Sequence, residues 1–211
     1  MSVGSVRQGV RTGASASEAP FRVAGVGTVM AGNSAADLDA FDAVVWDLDG
    51  TLVELDVNWD RVAADVTATF ESAGVDADGI DLWGMLDLAD RSDLRSQVEA
   101  VIAGHERTGA RDSARLPGAD SLGRADAEAV CSLNCESACR VALDTHGLAP
   151  HVDAVVGRDT VATRKPDPEP LLEAVRRLGA DPGNAIFVGD SPRDAEAADR
   201  AGVAFRYADG A

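Results

Sequence analysis

Ala43-Val44-Val45-Trp46-Asp47-Leu48-Asp49-Gly50-Thr51 decides the fold. Four consecutive apolar, β-prone residues read as a strand buried on both faces, and the run ends abruptly in two carboxylates and a Gly-Thr turn. A strand with no polar alternation belongs in a parallel sheet covered by helices, and the C-terminal strand ends of such sheets are where ligands bind. Working outward, four more short apolar runs recur: Ala129-Val130-Cys131, Ala154-Val155-Val156, Ala185-Ile186-Phe187-Val188 and Val203-Ala204-Phe205. Most are followed by a helical pattern. One runs from about Cys135 to His146 and stops at Gly147. The next runs from about Pro168 to Leu178, with Leu171, Leu172, Val175 and Leu178 on one face before Gly179. The last takes Ser191, Pro192 and Asp194 as N-cap, N1 and N3 and ends before Gly202. This alternation predicts an α/β fold with a doubly wound parallel sheet. Between the first two strands, 56–116 is too long for a crossover. It carries helical patterns near Trp59 to Ala73 and Ser92 to His105, and so predicts a small α-helical insertion. The polar segment Thr108 to Ser113 lacks an apolar period and reads as its hinge. The expected division is an α/β core over 39–55 and 117–211, the insertion over 56–116, and an N-terminal extension over 1–38.

Composition narrows the function. In 211 residues, 19 basic side chains stand against 36 acidic ones, a net charge of −17, which repels nucleic acid and anionic lipid surfaces. No apolar run is long enough to span a bilayer. Neither a nucleic-acid nor a membrane partner is expected. The basic set is 18 Arg and a single Lys, Lys165. Acid in excess with Arg displacing Lys suits a high-salt, halophilic cytoplasm, where molar ions screen self-repulsion within about 3 Å. Three cysteines, Cys131, Cys135 and Cys139, do not make a disulfide framework and read as small buried hydrophobes in a reducing, cytoplasmic compartment. The first 29 residues hold three Arg against one Glu, which leaves 16 basic and 35 acidic residues, net −19, on 30–211. That opening stretch has no period and reads as disordered or mis-started, with Met30 as an alternative initiator.

Four signals share the expected ligand-binding edge. Asp47 and Asp49 can divide nucleophile and acid/base roles, although Asp49-Gly50 could instead supply only a turn. Asp190 at a strand tip and Asp194 in the first turn of a helix suit a hard, oxygen-ligated cation, although Asp194 could simply complete a capping box with Ser191. Ser132, followed by Asn134 at a helix start, could hold phosphate through its hydroxyl and free backbone N–H groups, or be only a cap. Lys165 in Arg164-Lys165-Pro166 stands out as the one compact ammonium in an arginine-rich chain, against the alternative of a solvated loop charge. His105, His146 and His151 are scattered and receive no role.

Asp47-Leu48-Asp49-Gly50-Thr51, Ser132, Lys165-Pro166 and Gly189-Asp190 with Asp194, in that order, resemble the four motifs of the haloacid dehalogenase superfamily. The resemblance covers 43–207 apart from the insertion. It implies a Rossmann-like core, and it likens the insertion to the helical cap of phosphoglycolate phosphatase-like members. Leu116-Pro117-Gly118 is similar to the turn by which such relatives return to the core. Asp49 sets the chain apart from the true dehalogenases. The cap is short, and Leu133 separates Ser132 from Asn134 where many relatives have the two residue types adjacent. The resemblance further implies a Mg²⁺-dependent phosphatase acting on a small phosphorylated metabolite. Asp47 would be the nucleophile and Asp49 the acid/base. Ser132 and Lys165 would bind phosphate. The metal site would comprise the Asp47 and Asp190 carboxylates and the Asp49 backbone carbonyl, with Asp194 beside the metal. A phosphotransferase such as a sugar-phosphate mutase would use the same motifs, and a non-enzymatic binding module would have no need of the whole charged set. Substrate identity and oligomeric state are left open.

Overall fold

A computed structural model describes residues 35–208. In chain order the elements are β1 (Ala43–Trp46), β2 (Val53–Glu54), α1 (Trp59–Ser72), α2 (Leu82–Arg91), α3 (Arg95–Arg111), β3 (Ala114–Arg115) and β4 (Glu128–Cys131). They continue with α4 (Glu136–Thr145), β5 (Ala154–Val156), α5 (Glu169–Arg177), β6 (Ala185–Gly189), α6 (Pro192–Ala201) and β7 (Ala204–Tyr207). Five strands form a sheet in the order β5-β4-β1-β6-β7, with every pairing parallel. The doubly wound α/β expectation is met. β1 lies at the centre, its Val45 in register with Ala129 of β4 and Phe187 of β6.

The two faces of β1 explain its unbroken apolar run. Successive side chains alternate between faces. Val44 and Trp46 join Val130, Ile186 and the α4 residues Ala138 and Ala142 in one core layer. Ala43 and Val45 join Phe187, Phe205 and the α5 residues Leu171 and Val175 in the other. Trp46 carries a polar N–H into the interior, where it donates to Glu128 Oε2 at 2.8 Å. Leu172, expected on the buried face of α5, is 36 % exposed, because the helix turns it away from the sheet. The three cysteines are buried as expected, and burial pushes the Cys131 thiol up to about 12.

The expectation for the N-terminal stretch lies outside the described residues as far as 34. The fold begins slightly earlier than 39, however. Ala35–Ala40 form a 3-10 turn, and Leu38 packs into the layer that holds Trp46.

Three helices, not two, stand between β2 and β3, with a core of their own built from Val62, Val66, Phe70, Met85, Leu86, Val98 and Ile102. α1 is capped by Asn58 and α2 by Asp81, whose side chains accept from the Arg61 and Gly84 N–H groups. The connection to the sheet also differs from expectation. Thr108 to Arg111 are the last turn of α3, with Gly109 and Ala110 buried. Gly109 is required there: a Cβ would lie 2.6 Å from the Asp56 carbonyl oxygen. The strap to the core is instead the two-residue antiparallel pair β2–β3, Val53 opposite Arg115 and Glu54 opposite Ala114. Leu116 N–H then donates to the Leu52 carbonyl at 3.0 Å. Gly118 follows, where a Cβ would fall 2.3 Å from the Thr51 carbonyl oxygen, so the return turn of Leu116-Pro117-Gly118 lies directly against the end of the β1 loop.

Candidate active site

β1 stops at its carboxylates because the chain curls immediately after them. Asp47 N–H still donates to Val188 O at 2.8 Å, so this residue is held by the sheet. Beyond it, the Leu48 carbonyl accepts from the N–H groups of Thr51, Leu52 and Val53 at 3.3, 2.9 and 3.0 Å, closing a tight loop. Gly50 sits at φ +86°, and a Cβ on it would lie 2.3 Å from Asp190 Oδ2. The loop therefore needs glycine both for its backbone and for close approach to the neighbouring strand end. Asp49 is held over the mouth by Leu55 N–H, which donates to its Oδ1 at 2.8 Å.

Asp47, Asp190 and Asp194 converge, with one carboxylate oxygen from each lying within 4.8 Å of the others. Lys165, on the loop after β5, reaches in from the side and is 2 % exposed. Its Nζ donates to Asp47 Oδ1 at 2.8 Å and to the Cys131 carbonyl at 3.0 Å, and it lies 2.5 Å from Asp194 Oδ1. The sequence left Asp194 with two possible roles, and the structure shows the capping one directly. Its Oδ2 accepts from Ser191 N–H and Oγ at 3.1 and 2.6 Å, completing the capping box of α6. Its Oδ1 makes no hydrogen bond of good geometry and meets only the ammonium.

The electrostatics follow from crowding. Burial opposes charge on Lys165, yet Asp47 and Asp194 outweigh it and hold the ammonium above the ordinary lysine range. Burial raises Asp47 to about 7 against the pull of Lys165, with the like charge of Asp194 adding to the rise. Burial raises Asp49 to about 6, countered in part by the Leu55 N–H and aided by Glu54 and Asp190. Asp190 is raised by burial and then by Asp194. Three convergent carboxylates against one ammonium leave about two negative charges uncompensated. A hard divalent cation fits that deficit and that oxygen-only donor set.

Ser132 lies at the end of β4 and is buried. Its Oγ donates to Asn134 Oδ1 at 3.0 Å and accepts from Asn134 N–H at 3.2 Å. Two of the N–H groups at the following helix start are already taken. Cys135 N–H donates to Glu106 Oε2 at 3.0 Å, and Glu136 N–H donates to Asp159 Oδ1 at 2.7 Å. Carboxylates already occupy the positive end of α4.

All six residues singled out by the sequence line one cavity of about 460 Å³ at the strand ends. Others in its wall were missed. Arg158, two residues beyond β5, is buried in ion pairs with Glu106 Oε1 at 2.5 Å and Glu99 Oε2 at 2.8 Å, and also donates to the Leu133 carbonyl at 2.8 Å. Its position just past an apolar run on the same sheet edge was the available signal. Glu106 and Glu99 come from α3, so this network ties the helical insertion to the core. At the rim, Trp83 of α2 has Arg164 and Arg193 over its ring at 5.6 and 5.0 Å, and Arg164 pairs with Asp87 at 2.6 Å.

A family model for haloacid dehalogenase-like hydrolases matches residues 41–202. A phosphoglycolate phosphatase of Rhodospirillum rubrum is 33 % identical over 184 residues, covering 76 % of both chains. A plasmid-borne phosphoglycolate phosphatase of Cupriavidus necator is 31 % identical over 179 residues, covering 76 % of this chain and 78 % of its own. Among solved structures, a HAD-superfamily hydrolase of Geobacter sulfurreducens is similar with a TM-score of 0.55 and 25 % identity, over 81 % of this chain and 95 % of that one.

Proposed function

The chain belongs to the haloacid dehalogenase-like hydrolases, and from that premise we propose that it is a Mg²⁺-dependent phosphomonoester hydrolase that works through an aspartyl phosphate on a small phosphorylated metabolite. The observation that carries this reading is the packing of Asp47, Asp190 and Asp194 within 4.8 Å around the Lys165 ammonium, with Asp49 on the adjoining turn.

The three carboxylates, with the Asp49 backbone carbonyl, would hold Mg²⁺, which when bound offsets charge and so admits a phosphate dianion. The Asp47 carboxylate attacks phosphorus as the ester bond breaks. Lys165 fixes that carboxylate through Oδ1 and, with the Ser132 hydroxyl, binds the phosphoryl oxygens. Asp49, pushed up toward neutrality to about 6, would in its protonated form give that proton to the departing alkoxide. Left as a carboxylate, it then takes a proton from the water that attacks the aspartyl phosphate, releasing inorganic phosphate and restoring Asp47. The helical insertion serves as a cap that covers the cavity and keeps bulk water from the acyl phosphate. No helix of the described residues is long and apolar enough to cross a membrane.

Phosphate release from a panel of monoesters, measured with Mg²⁺ and with EDTA, tests the proposal. Activity should require the metal, and Asp47→Asn should remove it while leaving the melting temperature near that of the parent. An Asp47→Asn variant that still turns over would falsify the mechanism. Phosphate retained on a sugar product, with none freed, would favour a phosphotransferase of the same superfamily.

A further inference from the structure

The cavity has two unlike halves. Its floor holds the carboxylates and Lys165 that deal with the phosphoryl group. The wall toward the helical insertion presents Leu82, Trp83, Leu86 and Ile102, and its only charged members there are Asp81 and Glu106. α1, α2 and α3 contribute no cation to the lining. The two cations that do line it, Lys165 and Arg158, are each already engaged by two carboxylates. Arg158 and its two carboxylates sum to −1, with Glu106 wholly buried and Glu99 also paired with Arg95 of α3. Arg164 and Arg193 lie against the Trp83 ring outside the lining, and Arg164 is also paired with Asp87.

An alcohol group leaving from the floor therefore enters an apolar, indole-walled space of negative bias. A carboxylate or a second phosphate placed there would be desolvated, would face Glu106 and Asp81, and would find among the described residues of the lining no cation that is not already paired. An uncharged group with an apolar or flat face would bury its surface against Trp83, Leu86 and Ile102 at no such cost. We infer that, given the phosphomonoesterase reading above, this chain selects esters of uncharged, apolar-faced alcohols and rejects esters whose alcohol part is itself anionic. Trp83, Leu86 and Ile102 set the preference, and Glu106 sets the charge exclusion. The substrate class thus differs from the one named for the curated relatives, whose phosphoglycolate carries a carboxylate.

The test uses the full chain with saturating Mg²⁺ and three alkyl monoesters of similar leaving-group basicity: benzyl phosphate, 2-hydroxyethyl phosphate and 2-phosphoglycolate. The last two are matched in size and differ in the carboxylate. kcat/KM should be at least about tenfold higher for benzyl phosphate than for 2-phosphoglycolate, with 2-hydroxyethyl phosphate also above 2-phosphoglycolate. Glu106→Gln, which keeps an acceptor for Cys135 N–H, should narrow the gap between the matched pair by about fivefold or more. Preference for 2-phosphoglycolate, or less than tenfold selectivity against it, overturns this inference and leaves the phosphatase reading standing. Turnover of none of the three esters overturns both. If Glu106→Gln does not fold, the comparison on the parent chain still decides.

Discussion

Lys165→Arg keeps the charge and changes only its shape, so it separates the two things this residue can supply. Three oxygens surround Nζ: Asp47 Oδ1 at 2.8 Å, Asp194 Oδ1 at 2.5 Å and the Cys131 carbonyl at 3.0 Å. The Phe187 ring closes the remaining side with its centroid 5.1 Å away. That cup suits a compact ammonium with three N–H groups pointing in different directions. A guanidinium is planar, broader and carried on a longer stem, so it cannot address the three oxygens at once without displacing one wall. Overpacking a fully buried position costs about 1–3 kcal/mol. If most of that appears as misplacement of Asp47 relative to phosphorus, about 2.7 kcal/mol of transition-state stabilisation is lost, or about 100-fold in rate. The assay is kcat/KM on the best monoester found in the panel, with a melting curve on the same sample. The melt should fall by about 2–4 °C for each kcal/mol of strain. A Lys165→Arg variant within about threefold of the parent, with an unchanged melt, would refute the reasoning and show that net charge alone is needed.

Two further outcomes follow from the charges. Asp49 has a folded pKa of about 6 against an ordinary 3.8, so the folded state binds the extra proton in that window and stability declines as pH rises through it, by up to about 3 kcal/mol for this group. Melting scans of the metal-free chain at pH 5 and pH 8 should show the higher value at pH 5, with Asp49→Asn reducing the difference; no change in that difference would remove Asp49 as its source. A net charge of −17 should make the chain more stable as KCl rises from millimolar to about molar, and a melting maximum in dilute buffer would count against a halophilic origin.

Legibility followed the range of the interaction. β1, β4 and β6 were readable because a strand buried on both faces writes itself as a local apolar run, and the two core layers account for every residue of β1; the edge strands β5 and β7 kept enough of that run to be seen, although β7 ends in Arg206 and an exposed Tyr207. Asp47, Asp49, Asp190 and Asp194 were readable for the same reason, since each stands at a run's end or in the helix turn after it. α2 was overlooked although Leu82, Met85, Leu86 and Ala89 have helical spacing behind the Asp81 cap. Gly84 weakens the pattern, and the reason for that glycine, a Cβ 2.6 Å from Ile80 Cγ2, exists only in three dimensions.

The C-terminal part of α3 failed differently. Thr108 to Ser113 read as a hinge, yet Gly109 and Ala110 are buried in the helix, and Glu106 just before them is fully buried because Arg158, 52 residues away, and the N–H of Cys135 satisfy it. No window of sequence contains that pairing. Its consequence is mechanical as well as electrostatic. A buried carboxylate that caps α4 while gripping an arginine on the sheet edge cannot be pulled out without breaking a buried ion pair and freeing an amide, which costs about 3–5 kcal/mol. α3 is therefore anchored to the core by the group that gives the cavity wall its negative bias. The contacts on the Trp83 side are weaker, cation–π and a more exposed ion pair worth about 1 kcal/mol each. Glu106 and Ile102 both belong to that anchored helix, whereas Leu82, Trp83 and Leu86 belong to α2.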